Sequence, residues 1–202
     1  MKRLLLAIVW ACCTLAMAAQ EGIRVDYRGE RPTIKDFAKA YITFSLSEEE
    51  ECEAEGLAIY KDLQRAITLQ EKGRPLDDDE TLTLDTKNGF LVYEQKWDDH
   101  FSRLEMCFWN ESDGKHKLFA ENRMTYSNGK PILGQFDGFL FFRYNNSTKR
   151  MSHIAPPGFD SDFLNKTYAL PSTGKDIIVT TWHEDGKKTQ KALKWNGRGF
   201  SY

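Results

Sequence analysis

Hydrophobic and polar positions change rhythm once along the chain. Between residues 33 and 72 apolar side chains recur at helical spacing, and from residue 81 onward they alternate in short runs punctuated by turns. In the first part Ile34, Phe37, Ala38, Tyr41 and Ile42 occupy positions i, i+3, i+4, i+7 and i+8, the stripe of an amphipathic helix with one face to bury. Thr33, with Asp36 three places on, predicts its cap. A second helix is predicted from Ser47, where Glu50 completes a Ser-x-x-Glu box. It continues through Leu57, Tyr60, Leu63 and Ile67 towards Lys72, and Gly73 and Pro75 stop it.

Past residue 80, the runs 81–85, 90–97, 102–109, 115–126, 136–144, 150–154, 176–182 and 189–195 read as strands, with a last piece at Phe200. Asp113-Gly114, Asn128-Gly129, Asp185-Gly186 and Asn196-Gly197 supply the positive φ angles of tight turns. Pro156-Pro157-Gly158 interrupts the series, and residues 159–174 read as a loop crossing a sheet edge, with Phe159, Phe163, Leu164, Tyr168 and Leu170 tucked beneath. The expected fold class is α+β. N-terminal amphipathic helices (33–72) pack on an antiparallel β-meander (81–202) of about eight strands, forming a curled sheet, a sandwich or a partial barrel.

The first residues set the compartment. Met1-Lys2-Arg3, an apolar run over 4–15 and Ala16-Met17-Ala18 form a signal peptide, residues 1–19. The run is shorter than the ~20 residues a membrane helix needs. The expected product is a single domain, 20–202, secreted or periplasmic, exposed at the surface or free, with no transmembrane segment after cleavage. The whole chain's 28 Lys and Arg stand against 30 Asp and Glu and are spread along it, which offers no footprint for nucleic acid. Without the leader, Cys52 and Cys107 are the remaining cysteines, a candidate disulfide pair in an oxidising compartment.

Candidate chemistry is sparse. His100, His116, His153 and His183 show no close spacing of metal ligands. There is no Gly-x-Ser-x-Gly elbow and no glycine-rich phosphate loop, and Cys107 sits mid-strand between Met106 and Phe108, a packing position. Asp77-Asp78-Asp79-Glu80 lacks the alternation and glycine of a calcium loop. Glu94 and Glu105 are the one carboxylate pair on strands that suggests glycoside hydrolysis. No catalytic, metal or cofactor residue is assigned. On the 102–109 strand Leu104, Met106 and Phe108 face one way and Glu105, Cys107 and Trp109 the other. The second face mixes polar and aromatic groups, so Trp109 and Glu105 are the candidate ligand-facing residues, with core cover as the alternative. Asn110, Asn145, Asn146 and Asn165 each open an Asn-x-Ser/Thr triplet, an acceptor for glycosylation or a turn former.

Leu104-Glu105-Met106-Cys107-Phe108-Trp109, Gly114-Lys115-His116-Lys117-Leu118, Phe141-Phe142-Arg143-Tyr144-Asn145-Asn146, Leu170-Pro171-Ser172-Thr173-Gly174 and Trp195-Asn196-Gly197-Arg198-Gly199-Phe200 resemble segments of secreted proteins of unknown function from Bacteroidota. The resemblance implies a periplasmic or surface location and a β-rich fold, and carries over no functional residues. The functional expectation is non-catalytic binding of a protein, peptide or glycan through a sheet face or the 159–174 loop. The alternatives are a hydrolase of envelope or dietary polymers and a lipocalin-like carrier.

Overall fold

The structure, a computed structural model, describes residues 22–47, 57–133, 138–162 and 164–202. The expected leader, Cys52 and the Glu50 end of the Ser-x-x-Glu box lie outside them. The chain is α+β and mostly antiparallel β. Its elements are β1 (Ile23–Arg24), α1 (Ile34–Ser47), α2 (Ala58–Glu71), β2 (Glu80–Asp85), β3 (Phe90–Trp97), β4 (His100–Asn110), β5 (His116–Ser127), β6 (Lys130–Pro131), β7 (Gly138–Asn145), β8 (Arg150–Ile154), β9 (Lys166–Ala169), β10 (Ile177–Trp182), β11 (Lys188–Trp195) and β12 (Phe200–Ser201). Among the described residues no helix is long and apolar enough to cross a membrane.

Helix α1 starts where the Asp36 carboxylate accepts both the amide and the hydroxyl of Thr33, each at 2.7 Å. It buries Ile34, Phe37, Ala38, Tyr41 and Ile42, the stripe read from the sequence. Ser47 does not open the second helix. It closes the first, its hydroxyl donating to the Phe44 carbonyl, and α2 begins only at Ala58 with no side-chain cap. Helix α2 buries Ile59, Tyr60, Leu63, Ala66 and Ile67 and ends in a turn where Gly73, at φ +62°, lets the Arg74 amide reach the Leu69 carbonyl.

The strands form two sheets, where the meander was expected as a curled sheet, a sandwich or a partial barrel. The larger runs β1-β8-β7-β5-β4-β3-β2, with β6 on β5, and curls into a half-barrel; the smaller runs β12-β11-β10-β9. Strand β9 lies within the segment 159–174 that reads as a loop. Its four residues are too few to show alternation, and its pairing with β10 is supplied from outside the segment.

Two hydrophobic cores follow, one on each face of the large sheet. On one face Leu91, Tyr93, Leu104, Met106, Phe119, Phe142 and Tyr144 cluster with the buried stripes of both helices. Phe37 is central there, its ring 5.3 Å from Phe108, 5.7 Å from Phe119 and 5.0 Å from Tyr144. On the other face Phe90, Cys107, Trp109, Leu118, Ala120, Phe139 and Phe141 cluster with Tyr168, Leu170, Ile177, Val179, Leu193 and Phe200 of the small sheet and its approach. The crossing segment fits because Gly158 turns at φ +91°; a Cβ there would stand 2.3 Å from the Phe200 carbonyl oxygen.

Consecutive residues of β7 therefore serve different cores. Phe141 is fully buried under the small sheet and Phe142 is buried under the helices. Phe141→Ala and Phe142→Ala should each lower stability by about 3–5 kcal/mol in urea unfolding, and a loss below about 1 kcal/mol for either would contradict the two-core packing.

Candidate functional site

Trp109 and Glu105 do not face solvent. They are 4% and 2% exposed because the small sheet covers them. The Trp109 indole Nε1 donates to the Lys175 carbonyl at 2.8 Å, and its ring meets Phe200 at 5.2 Å and Trp195 at 5.9 Å. Glu105 receives Arg103 on Oε1 at 2.8 Å, and the Leu170 amide and Asn122 Nδ2 on Oε2 at 2.8 and 3.2 Å. The same Asn122 amide donates to the Tyr168 carbonyl at 2.8 Å. These groups are the polar attachments of the small sheet, and Trp109, Glu105 and Asn122 are buried. Arg103 also pairs with Glu94, so the two strand carboxylates flank one guanidinium.

The remaining candidates are dispersed. His100 stacks on Trp97, His153 lies edge-on to Phe142 and His183 contacts the Thr189 hydroxyl. Glu111, Asp113 and His116 bring ligand atoms within 4.8 Å of one another, but every one of them is engaged in the β4–β5 turn. Glu111 holds Arg143 at 2.7 Å, and Asp113 accepts the amides of Lys115 and His116 and meets His116 Nδ1 at 2.6 Å, contacts that hold its carboxyl down at about 2. In the acidic 77–80 loop Glu80 turns inward to Arg65 and Tyr93 while Asp77 stays at the surface with Arg65, so the carboxylates do not converge. Cys107 is a buried free thiol, pushed well up by burial and then by Glu105. Asn145 acts as a turn former, its Oδ1 accepting the amides of Ser147 and Thr148.

The open face of the small sheet is different. In β10, Ile177 and Val179 point into the core, which turns Ile178, Thr180 and Trp182 outward. Register places Ala192, Gln190 and Lys188 of β11 beside them in that order, Ala169 and Thr167 of β9 on the other side, and Lys194 opposite Ser201 of β12. Trp182 is fixed in place: its indole Nε1 donates to the Thr167 hydroxyl at 3.1 Å and the Lys188 ammonium sits 4.0 Å over its ring. Beyond it the β10–β11 turn frames an open depression of about 580 Å³ lined by His183, Glu184, Asp185, Lys187, Lys188 and Thr189. Trp182 lies in a strand read from the sequence, but its outward role was not read; the signal was the lysine-rich run 187–194, apolar on one face only at Leu193.

Comparison with protein-family models, with curated proteins and with solved structures finds no match for this chain.

A buried carboxyl on β5 faces the helical layer. Glu121, 1% exposed, accepts the Tyr60 hydroxyl at 3.2 Å and the Tyr41 hydroxyl at 3.4 Å, and so links both helices to β5. Burial raises its carboxyl to about 7, against the opposing pull of Arg123 and the two tyrosines, and both tyrosines are themselves raised by burial and by Glu121. The folded chain thus holds a proton that the unfolded chain releases near pH 4.3. The stabilising effect is complete below that pH and is lost as pH rises through about 7. Urea midpoints compared between the parent and Glu121→Gln from pH 4 to pH 8 should show the parent losing stability relative to the variant as pH rises; a constant difference would contradict the assignment.

Proposed function

We propose that this protein is a secreted or periplasmic non-catalytic binding domain for a protein, peptide or glycan, and that its contact surface is the open face of the small sheet. The observation that carries the reading is the placement of Trp182. It is an aromatic side chain on an outward strand position, held rigid by Thr167 and Lys188 in a row of small polar neighbours. Rigid aromatic groups flanked by hydrogen-bonding side chains give contact area at low cost in conformational entropy.

The layered packing supports the same reading. The N-terminal helices cover one face of the large sheet and the small sheet covers the other, so the curled sheet encloses side chains rather than a ligand. The strand carboxylates Glu94 and Glu105 are engaged by Arg103, Asn122 and the Leu170 amide.

The test is an array of immobilised peptides and glycans probed with residues 20–202. At least one ligand should be retained, Trp182→Ala should abolish that binding, and Trp97→Ala, at the exposed end of β3 in the large sheet, should leave it unchanged. Cleavage of the retained ligand, or binding indifferent to Trp182→Ala, would overturn the proposal.

A further inference from the structure

The charge of the chain is unevenly placed. Residues 166–202 carry seven Lys and Arg against three Asp and Glu, whereas the whole chain carries 28 against 30. The small sheet is therefore a basic layer on an otherwise acidic protein. Lys166 and Lys187 are occupied by Asp162 and Asp185 at 3.1 and 2.8 Å. Among the described residues no carboxylate reaches Lys188 or Lys194, and both are exposed on the open face. They are six residues apart on one strand, both outward, which separates them by ~20 Å.

Between these two ammonium groups the face is low and hydrophilic. Gln190, Thr180 and Ser201 offer hydroxyl and amide groups, Thr167 beside them is buried with its hydroxyl on the Trp182 indole, and Ala192 and Ala169 keep the surface flat. Ile178, at 37% exposure, is the one bulky aliphatic group on it. A membrane surface would call for a row of large apolar residues, and a protein partner for aromatic or arginine anchors set in pockets. A flat polar track with a fixed indole at one end and a cation at each end suits an extended chain of sugars bearing negative groups, with hydroxyls meeting the polar strip and a ring face meeting Trp182.

Resting on the binding-domain reading above, we propose that the open face of the small sheet binds an acidic polysaccharide laid along β11, with its anionic groups on Lys188 and Lys194. The depression at the β10–β11 turn continues the track past Trp182. Its rim carries His183 and Lys187 together with Glu184 and Asp185, the last neutralised by Lys187.

The experiment is calorimetric titration of residues 20–202 with polygalacturonate, with its fully methyl-esterified neutral form and with phosphatidylserine vesicles, at low and high salt. Polygalacturonate should bind at low salt and weaken as salt screens the contact. The neutral ester should bind about tenfold more weakly or not at all, and the Lys188→Ala/Lys194→Ala double variant should lose about tenfold for the acid form alone. A Lys61→Ala/Lys72→Ala control in the helical layer should change nothing. No binding of polygalacturonate at low salt, binding of vesicles only, or indifference to the double variant overturns the proposal. Equal binding of acid and ester that Trp182→Ala removes also overturns it, while leaving the binding-domain reading in place.

Discussion

The large sheet is apolar on both faces, and the rest of the architecture answers that condition. Row by row, β4, β5 and β7 send Met106, Phe119 and Phe142 to one side and Cys107, Ala120 and Phe141 to the other, with registers that align Cys107, Ala120 and Phe141 across three strands. A strand with one solvated face alternates apolar and polar residues; these strands do not, so water must be excluded from both sides. The helices meet one demand with two continuous stripes. The small sheet meets the other, and by doing so it acquires an outer surface whose composition is free of packing constraints.

That division explains what the amino-acid pattern disclosed. The long strands and their turns were legible because Asp-Gly and Asn-Gly pairs mark the reversals and because runs such as 102–109 have no helical period. Helix α1 was legible for the complementary reason. The second sheet was not, because period-two alternation separates two faces without saying what covers either. Trp109 and Glu105 were placed on a shared face, opposite Met106 and Phe108, with ligand contact and core cover both open, and the structure shows the cover. Their covering layer depends on β9, whose four residues are held by pairing to a strand that begins eight residues after β9 ends. Ser47 misled for a local reason: a serine that back-bonds to the carbonyl three residues earlier ends a helix as well as a serine cap begins one.

Polar groups at the two interfaces behave differently. Between the sheets, Glu105 accepts from Arg103, Asn122 and the Leu170 amide, contacts that tie the small sheet to β4. Under the helices, Glu121 is offered two tyrosine hydroxyls at longer range, and desolvation outweighs them. The same residue type thus ties a covering layer to each face, with Glu121 carrying a carboxyl raised by burial. The two sites differ in the number and closeness of donors rather than in burial, which is almost equal at the two positions.

The position of Cys107 gives the small sheet a reporter of its own. The thiol lies beneath that layer, beside Trp109 and Phe90, while β9 to β12 follow one another along the chain and pair only among themselves. A segment of local hairpins attached to a larger body through a limited set of contacts is a natural unit of partial opening. Each such opening would bring the sulfur into contact with water while the helical side stayed closed, so the rate at which the sulfur is labelled measures how often the two sheets part.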